Sequence, residues 1–496
     1  MAKFIGATVV SDIFLIAFKV PNSFRRILAE GAFSSVFIPF FTKQVDKDIV
    51  QAKKFAGSVL SLLLLIALLV TILCQIFMSE FLSIIAPGFT HNVEIAQSIT
   101  HTARWLFLIL PCVCVVAFFG GVLNVVNNFH TFAMTPIILN LSVVVGIFYS
   151  IYDKQNLLNS LVVSVLGSYI LQLAMVLFAA KRADLIIHPR KFTLNKETRS
   201  FLSQFGIAIL GSGVFQINVL IDTYFASFTV KATSYLYYVD RIIQLPLSLL
   251  GSTMAIAMLP LMSSAIAKNN ISQVASLKQS SLEYALNLGV LISALLFINA
   301  SDIVTTIYQY DKFLAEDGAQ CAKLLVLLSP SLLFMVINKI VNSYFFALHK
   351  VKITLLLSIL NLGLNVIINI VLFPIYGYFA IGISTTTATA LSALVALFLL
   401  SRNISGLNWN RVYFVFFVNL LVAFLLFFFY RYTASIVNFS LVECKSLLFR
   451  LFFTLSSIGV QSLLYLCLLL LLGVVKIKPL LELAKYVATQ RRKKRN

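Results

Sequence analysis

The stretch SDIFLIAFKVPNSFRRILAEGAFSSVFIPFF, residues 11–41, decides the class of this protein. Apolar runs flank a charged centre in which Lys19, Arg25, Arg26 and Glu30 gather around Pro21, with Asp12 further back in the first run. The rest of the chain has the same character. Of 496 residues, 60% are hydrophobic and 11% charged, and the mean hydropathy is +0.96. An average soluble domain is nearer ~25% charged. A soluble core of this length cannot hide so many apolar side chains, and disorder needs few of them. A bilayer is the solvent that fits, and long unbroken runs argue against a β-barrel.

A spanning helix needs ~20 mostly apolar residues. Fourteen segments qualify: 3–20, 24–41, 55–78, 102–126, 132–152, 157–180, 201–228, 234–264, 282–300, 322–348, 353–373, 378–400, 412–430 and 447–475. The expected fold is therefore an all-α polytopic membrane protein of fourteen helices. Pro21 is expected to break the first helix from the second. Basic residues cluster at 43–54, 181–199 and 476–496, which places these stretches and both termini, Lys3 included, in the cytoplasm. The acidic run DKFLAEDG from Asp311 then faces outward.

Two short matches point to an internal repeat. DIFLIAF at Asp12 resembles DTYFASF at Asp222, 210 residues on, and ILNL at Ile138 recurs at Ile359, 221 residues on. They pair helix one with seven and five with eleven. Such a shift implies two six-helix lobes related by a pseudo-two-fold along the membrane normal, plus two extra helices. The expected organisation is an N-lobe over 1–181, a basic linker over 182–200, a C-lobe over 201–401, two further helices over 402–475 and a basic tail over 476–496.

A charge at the bilayer centre costs ~2.5–3.5 kcal/mol on insertion scales, so intramembrane charges need a reason. Arg25 and Arg26 open the second segment, with Glu30 one turn after Arg26. They either snorkel to the interface or line a water-filled cavity. The place read as corresponding in the second half holds Asp240 and Arg241. These form a structural ion pair, or Arg241 faces Arg25 and Arg26 across the axis. Three guanidiniums, with Lys19 adding a point charge, would suit a polyanion such as a phosphate ester. Asp12, Lys19, Glu30 and Asp240 are candidates for lining or gating the cavity, and the intramembrane acids Asp12 and Asp222 for ion or proton coupling. Oxygens of Asp222, Asn361, Asn365 and Thr385 could form a monovalent cation site, or simply hydrogen-bond between helices. The scattered cysteines read as small buried hydrophobes, and there is no zinc spacing, nucleophile elbow, Walker sequence or cleaved signal. No enzyme and no nucleic-acid module is expected.

Residues 11–41, with APGF at Ala86, TPIILNLS at Thr135, YYVDRIIQLP at Tyr237 and QYDKF at Gln309, resemble the MurJ/MviN family of the MOP exporter superfamily. The resemblance implies a flippase that moves lipid II from the inner to the outer leaflet of the bacterial cytoplasmic membrane for peptidoglycan synthesis. By resemblance, Arg25, Arg26 and Arg241 hold the pyrophosphate. The last two helices make a groove for the lipid tail, and a sodium ion would match Asp222, Asn361 and Asn365. No further cofactor is implied, and coupling comes from the cation or from the membrane potential. The expected molecule is a monomer, with cell-wall synthesis machinery as a candidate partner. Members usually carry an SRxxGxxRD-like run ahead of the segment matching AKFIGATVVSD, so helix one is expected to be short. Gln244 stands where the family has a glutamate. The rival readings are a polysaccharide-unit lipid flippase and a non-transporting membrane scaffold.

Overall fold

The computed structural model describes residues 1–126, 128–152, 156–191, 196–348, 350–403, 407–437 and 446–475. Their regular structure is helical, with no strand among the described residues. The first helices are α1 (Ala2–Ile5), α2 (Val9–Arg25), α3 (Ala32–Val45), α4 (Ile49–Ile76), α5 (Met78–Ile85), α6 (Val93–Phe107), α7 (Ile109–Val125), α8 (Phe129–Ala133), α9 (Thr135–Tyr152), α10 (Leu157–Arg182) and α11 (Lys196–Ser227). Then come α12 (Ala232–Pro246), α13 (Thr253–Ala267), α14 (Ile271–Ile298), α15 (Ala300–Tyr308), α16 (Ala315–Leu328), α17 (Ser331–Ala347), α18 (Val351–Tyr376), α19 (Phe379–Asn403), α20 (Trp409–Val437) and α21 (Leu447–Leu471).

Helix is what this composition must form in lipid, where no water satisfies backbone N–H and C=O groups. Polar caps start several of the helices: Asp48 accepts from Val50 N at 2.8 Å and Asn156 from Leu158 N at 3.0 Å. Among the described residues, ten helical stretches are long and apolar enough to cross a membrane, and α16 with α17, bent by 43°, makes an eleventh. Their outer faces are bare hydrocarbon: α4 alone exposes Leu65, Leu68, Leu69, Ile72, Leu73 and Ile76. Water would not tolerate a patch of that size on a monomer. Of the cysteines, Cys74, Cys114 and Cys321 are buried and Cys112 is half-buried. Cys467 is exposed, against expectation, and Cys444 lies outside the described residues.

The expected break at Pro21 does not occur. Pro21 lies inside α2, which runs on to Arg25, widens into a π-turn over Arg26–Gly31 and continues as α3. Both α2 and α3 pack on that turn, but they do not run side by side. From Val9 onward, segments 3–20 and 24–41 are therefore one helical run, not a hairpin. A proline removes one backbone donor and crowds the preceding carbonyl, and the widened turn just beyond it is a way to absorb such a disturbance.

The same device recurs in the second half, where α12 leads into a π-turn over Leu247–Ser252 and then α13. The two turns start 221 residues apart, at Arg26 and Leu247. Beyond them, α4 and α14 are both 28 residues long, starting at Ile49 and Ile271. The helices α7 and α17 are both 17 residues long. This register agrees with the ILNL match and overturns the DIFLIAF match, which would pair α2 with α11. Asp12 consequently aligns with Thr233, and Lys19 aligns with Asp240. Arg25 and Arg26 align with Pro246 and Leu247, so Asp240 and Arg241 do not hold the corresponding place.

The chain forms two compact units. The first comprises Met1–Tyr237, Asp311–Phe313 and Asn365–Ile381. Its centre is a stack of Phe33, Phe37 and Phe41 along α3, with centroids 4.7 and 5.3 Å apart, joined by Phe118 of α7. Here the amino terminus meets the 311–313 segment. Lys3 Nζ lies 3.7 Å from Asp311 Oδ2, and Lys312 N donates to Lys3 O at 3.3 Å. Gly6 makes the approach feasible: its φ is 70°, and a Cβ there would lie 2.3 Å from Lys312 O. Lys3 and Asp311, expected on opposite faces of the membrane, are on the same one.

The second unit comprises Tyr238–Tyr310, Leu314–Leu364 and Gly382–Asn496. Its centre is α14, packed on α17 and α20. Polar side chains tie α20 and α21 to this centre. Asn419 of α20 donates to Asn287 of α14 at 2.8 Å, and Tyr465 of α21 donates to Asn419. Asn299 and Gln461 exchange hydrogen bonds at 2.9 and 3.0 Å, and Thr306 pairs with Thr454 at 2.8 Å. In hydrocarbon such pairs hold helices together because apolar packing alone does not distinguish a helix from a lipid tail.

Candidate substrate and ion sites

The first candidate site is built on α2 and its π-turn. Arg25 and Arg26 are half-buried where α2 gives way to the wider turn. Arg25 Nε donates to Asn22 Oδ1 at 2.9 Å, which fixes the guanidinium against its own helix. Lys19, half-buried, stands on the preceding turns, and its carbonyl accepts from Ser23 Oγ at 3.0 Å. A run of three cations within two turns, none of them fully exposed, is an anion-attracting surface. The Glu30 side chain lies outside the described residues. Arg241 and Asp240 belong to the second unit, where both are exposed on α12.

Asp12 is fully buried and holds the start of another helix. Its Oδ2 accepts from Lys231 N at 2.6 Å, and its Oδ1 accepts from Ser234 N at 3.0 Å and Ser234 Oγ at 2.6 Å. These donors surround the first turn of α12, whose N–H groups have no partner within the helix. Asp12 thus acts as a capping carboxylate supplied from another helix, where a negative charge also suits the helix dipole.

The second candidate site lies between α11 and the end of α18, both within the first unit. Phe225 and Phe228 of α11 pack on Phe373 of α18, with centroids 5.3 and 5.7 Å apart. Toward the middle of the helices stand half-buried Asp222 and buried Asn365. Asn369 Nδ2 donates to Asn365 Oδ1 at 3.0 Å. The buried Oδ1 atoms of Asn218 and Asn369 accept no hydrogen bond from the described residues. Buried carbonyl oxygens without donors are costly alone, and a cation would satisfy them. Asn361 and Thr385, both half-buried, belong to the second unit. Sequence reasoning missed Asn218 and Asn369. The signal was there: each lies four residues from a residue already singled out, hence on the same helix face. Among the described residues no group of three His, Cys, Asp or Glu could hold a metal ion.

Comparison with known proteins gives one consistent result. The family model described as lipid II flippase MurJ matches residues 1–453. A probable lipid II flippase MurJ of Rhizobium tropici is 32% identical over 417 residues, covering 83% of this chain and 78% of that protein. Its counterpart in Rickettsia prowazekii (strain Madrid E) is 31% identical over 389 residues, covering 78% and 76%. A solved lipid II flippase MurJ in an inward closed conformation superposes with TM-score 0.78 at 22% identity, over 94% of this chain and 93% of that one. An inward-facing multidrug MATE transporter of the MOP superfamily superposes with TM-score 0.61 at 14% identity, over 82% and 95%. The last two are likenesses of fold.

Proposed function

The chain belongs to the MurJ lipid II flippase family, and from that premise we propose that it moves lipid II from the inner to the outer leaflet of a bacterial cytoplasmic membrane. It is a transporter and not an enzyme. The observation that carries this reading is the family match across residues 1–453, with relatives near 30% identity over most of the chain. The half-buried Arg25 and Arg26 support it, because a lipid-linked pyrophosphate needs fixed cations on its route. In this reading Arg241 joins them when the two repeats close on the substrate. The repeats are lobes about a pseudo-two-fold along the membrane normal, and they rock to expose the site alternately inward and outward. The tail of the lipid stays in hydrocarbon along α20 and α21.

Each helical run with a π-turn counts as one crossing, so the described residues make thirteen crossings rather than fourteen. The basic 476–496 stretch stays cytoplasmic, and residues 1–6 lie with Asp311 on the outer side. A monovalent cation between Asp222, Asn218, Asn365 and Asn369 supplies the coupling, aided by the membrane potential at ~2.3 kcal/mol per charge per 100 mV. The protein acts as a monomer alongside the cell-wall synthesis machinery.

Complementation tests the function. Expression of the full chain in a bacterium depleted of its own lipid II flippase is expected to restore growth and cell shape. Lysis despite normal membrane insertion would favour the scaffold reading. Rescue of a polysaccharide-unit flippase mutant, but not of this one, would favour the rival substrate.

A further inference from the structure

The helices α20 and α21, whose hydrocarbon-facing surface the proposed function gives to the lipid tail, also build a polar-lined cleft with Asp302 of α15. Asp302 stands half-buried in the first turn of α15, and its Oδ2 accepts a 2.8 Å hydrogen bond from the Tyr430 hydroxyl of α20. That bond orients the carboxylate at the wall of a cleft of about 280 Å³. Phe429 and Phe453 add aromatic walls, while Thr433 and Ser456 supply hydroxyls. Among the described residues that line it, Asp302 is the only charged one. The nearby Arg450 does not neutralise it: its guanidinium donates to Thr305 O and Gln309 O, at 3.3 and 2.9 Å, and lies over the Tyr310 ring.

One oriented carboxylate, aromatic rings and hydroxyl acceptors together make a receptor for an ammonium group. The setting says where that group comes from. Thr433 is four residues from the end of α20, so the cleft opens near the membrane interface. Phe428, Phe452 and Leu455 beside it are exposed to hydrocarbon, giving acyl chains a surface to lie on. Arg431, exposed at the next position after Tyr430, offers a cation to a phosphate. Counted from the helix starts at Met78 and Ala300, the position in α5 that matches Asp302 is Glu80, which is exposed.

We propose that the cleft between α15, α20 and α21 holds an aminophospholipid headgroup, its ammonium on Asp302. This is independent of the transported substrate. The test is native mass spectrometry of the full chain in detergent, titrated with phosphatidylethanolamine, phosphatidylglycerol of the same acyl chains, and free ethanolamine. Phosphatidylethanolamine is expected to be retained preferentially. Asp302→Asn, which keeps the shape and the Tyr430 partner, should weaken its retention about tenfold while leaving phosphatidylglycerol unchanged. Equal retention of the two lipids by the wild-type chain would overturn the proposal, as would undiminished retention by Asp302→Asn. Displacement of the lipid by equimolar ethanolamine would overturn the lipid as occupant. Should Asp302→Asn not fold, N-acetylated phosphatidylethanolamine on the wild-type chain decides: binding as strong as the free amine rules out the ammonium contact.

Discussion

Lys3 Nζ and Asp311 Oδ2 lie 3.7 Å apart, joining the first helical turn to a segment more than three hundred residues away. Exposed ion pairs contribute little, typically ~0–1 kcal/mol, so this one does not hold the fold together. Its value is topological, because two residues in contact share a face of the membrane. Positions 3 and 311, changed singly to cysteine, should both react with a membrane-impermeant maleimide in intact cells. Labelling of one and protection of the other would refute the shared face.

Asp12 holds three donors at the start of α12. Asp12→Ala leaves them buried and unsatisfied, at roughly 1–3 kcal/mol per group. Thermal unfolding in detergent should show a loss of about 3 kcal/mol or more. Ser234→Ala, which removes one hydroxyl, should cost about 1 kcal/mol. An Asp12→Ala protein as stable as the parent would show that α12 is seated by something else.

In the proposed function, Arg25, Arg26 and Arg241 serve transport rather than folding. Replacing any of the three by alanine should abolish complementation while leaving membrane levels near normal. Lysine at Arg25 or Arg26 should restore part of the activity, since it keeps the charge and loses the planar fork. A loss of about 1.5–3 kcal/mol of binding per charged hydrogen bond corresponds to roughly ten- to a hundredfold. Full growth with Arg241→Ala would remove that residue from the substrate site.

The cation reading makes a separate demand. Sodium should raise the thermal stability of the purified chain more than potassium does. Asp222→Asn and Asn369→Ala should each shrink that difference, because a hard monovalent cation relies on every oxygen around it. Identical unfolding temperatures in the two salts would dispose of the site.

How much of this was legible beforehand varies from residue to residue. The apolar runs and the buried phenylalanines of α3 follow from composition and periodicity, which act locally. The π-turn at Arg26–Gly31 does not. Pro21 reads as a stop in isolation, and only packing against α7 and α11 makes a continuous, widened run the better arrangement. The repeat was detected in outline and misregistered, because DIFLIAF and DTYFASF are the sort of apolar match that lipid-facing helices produce by chance. Turn positions, set by backbone geometry, gave the register that side chains could not.

The amino-acid sequence by itself determined that this protein is helical, lives in a bilayer and carries arginines where apolar residues would be cheaper. Those are consequences of what each segment is made of and of the solvent it meets. Tertiary structure alone decided that Asp12 caps α12, that Phe225 and Phe228 of α11 meet Phe373 of α18, and that Lys3 shares a face with Asp311. A partner far along the chain supplies each of these. The chemistry of a buried polar atom depends on which distant group folding delivers to it, and no local pattern records that.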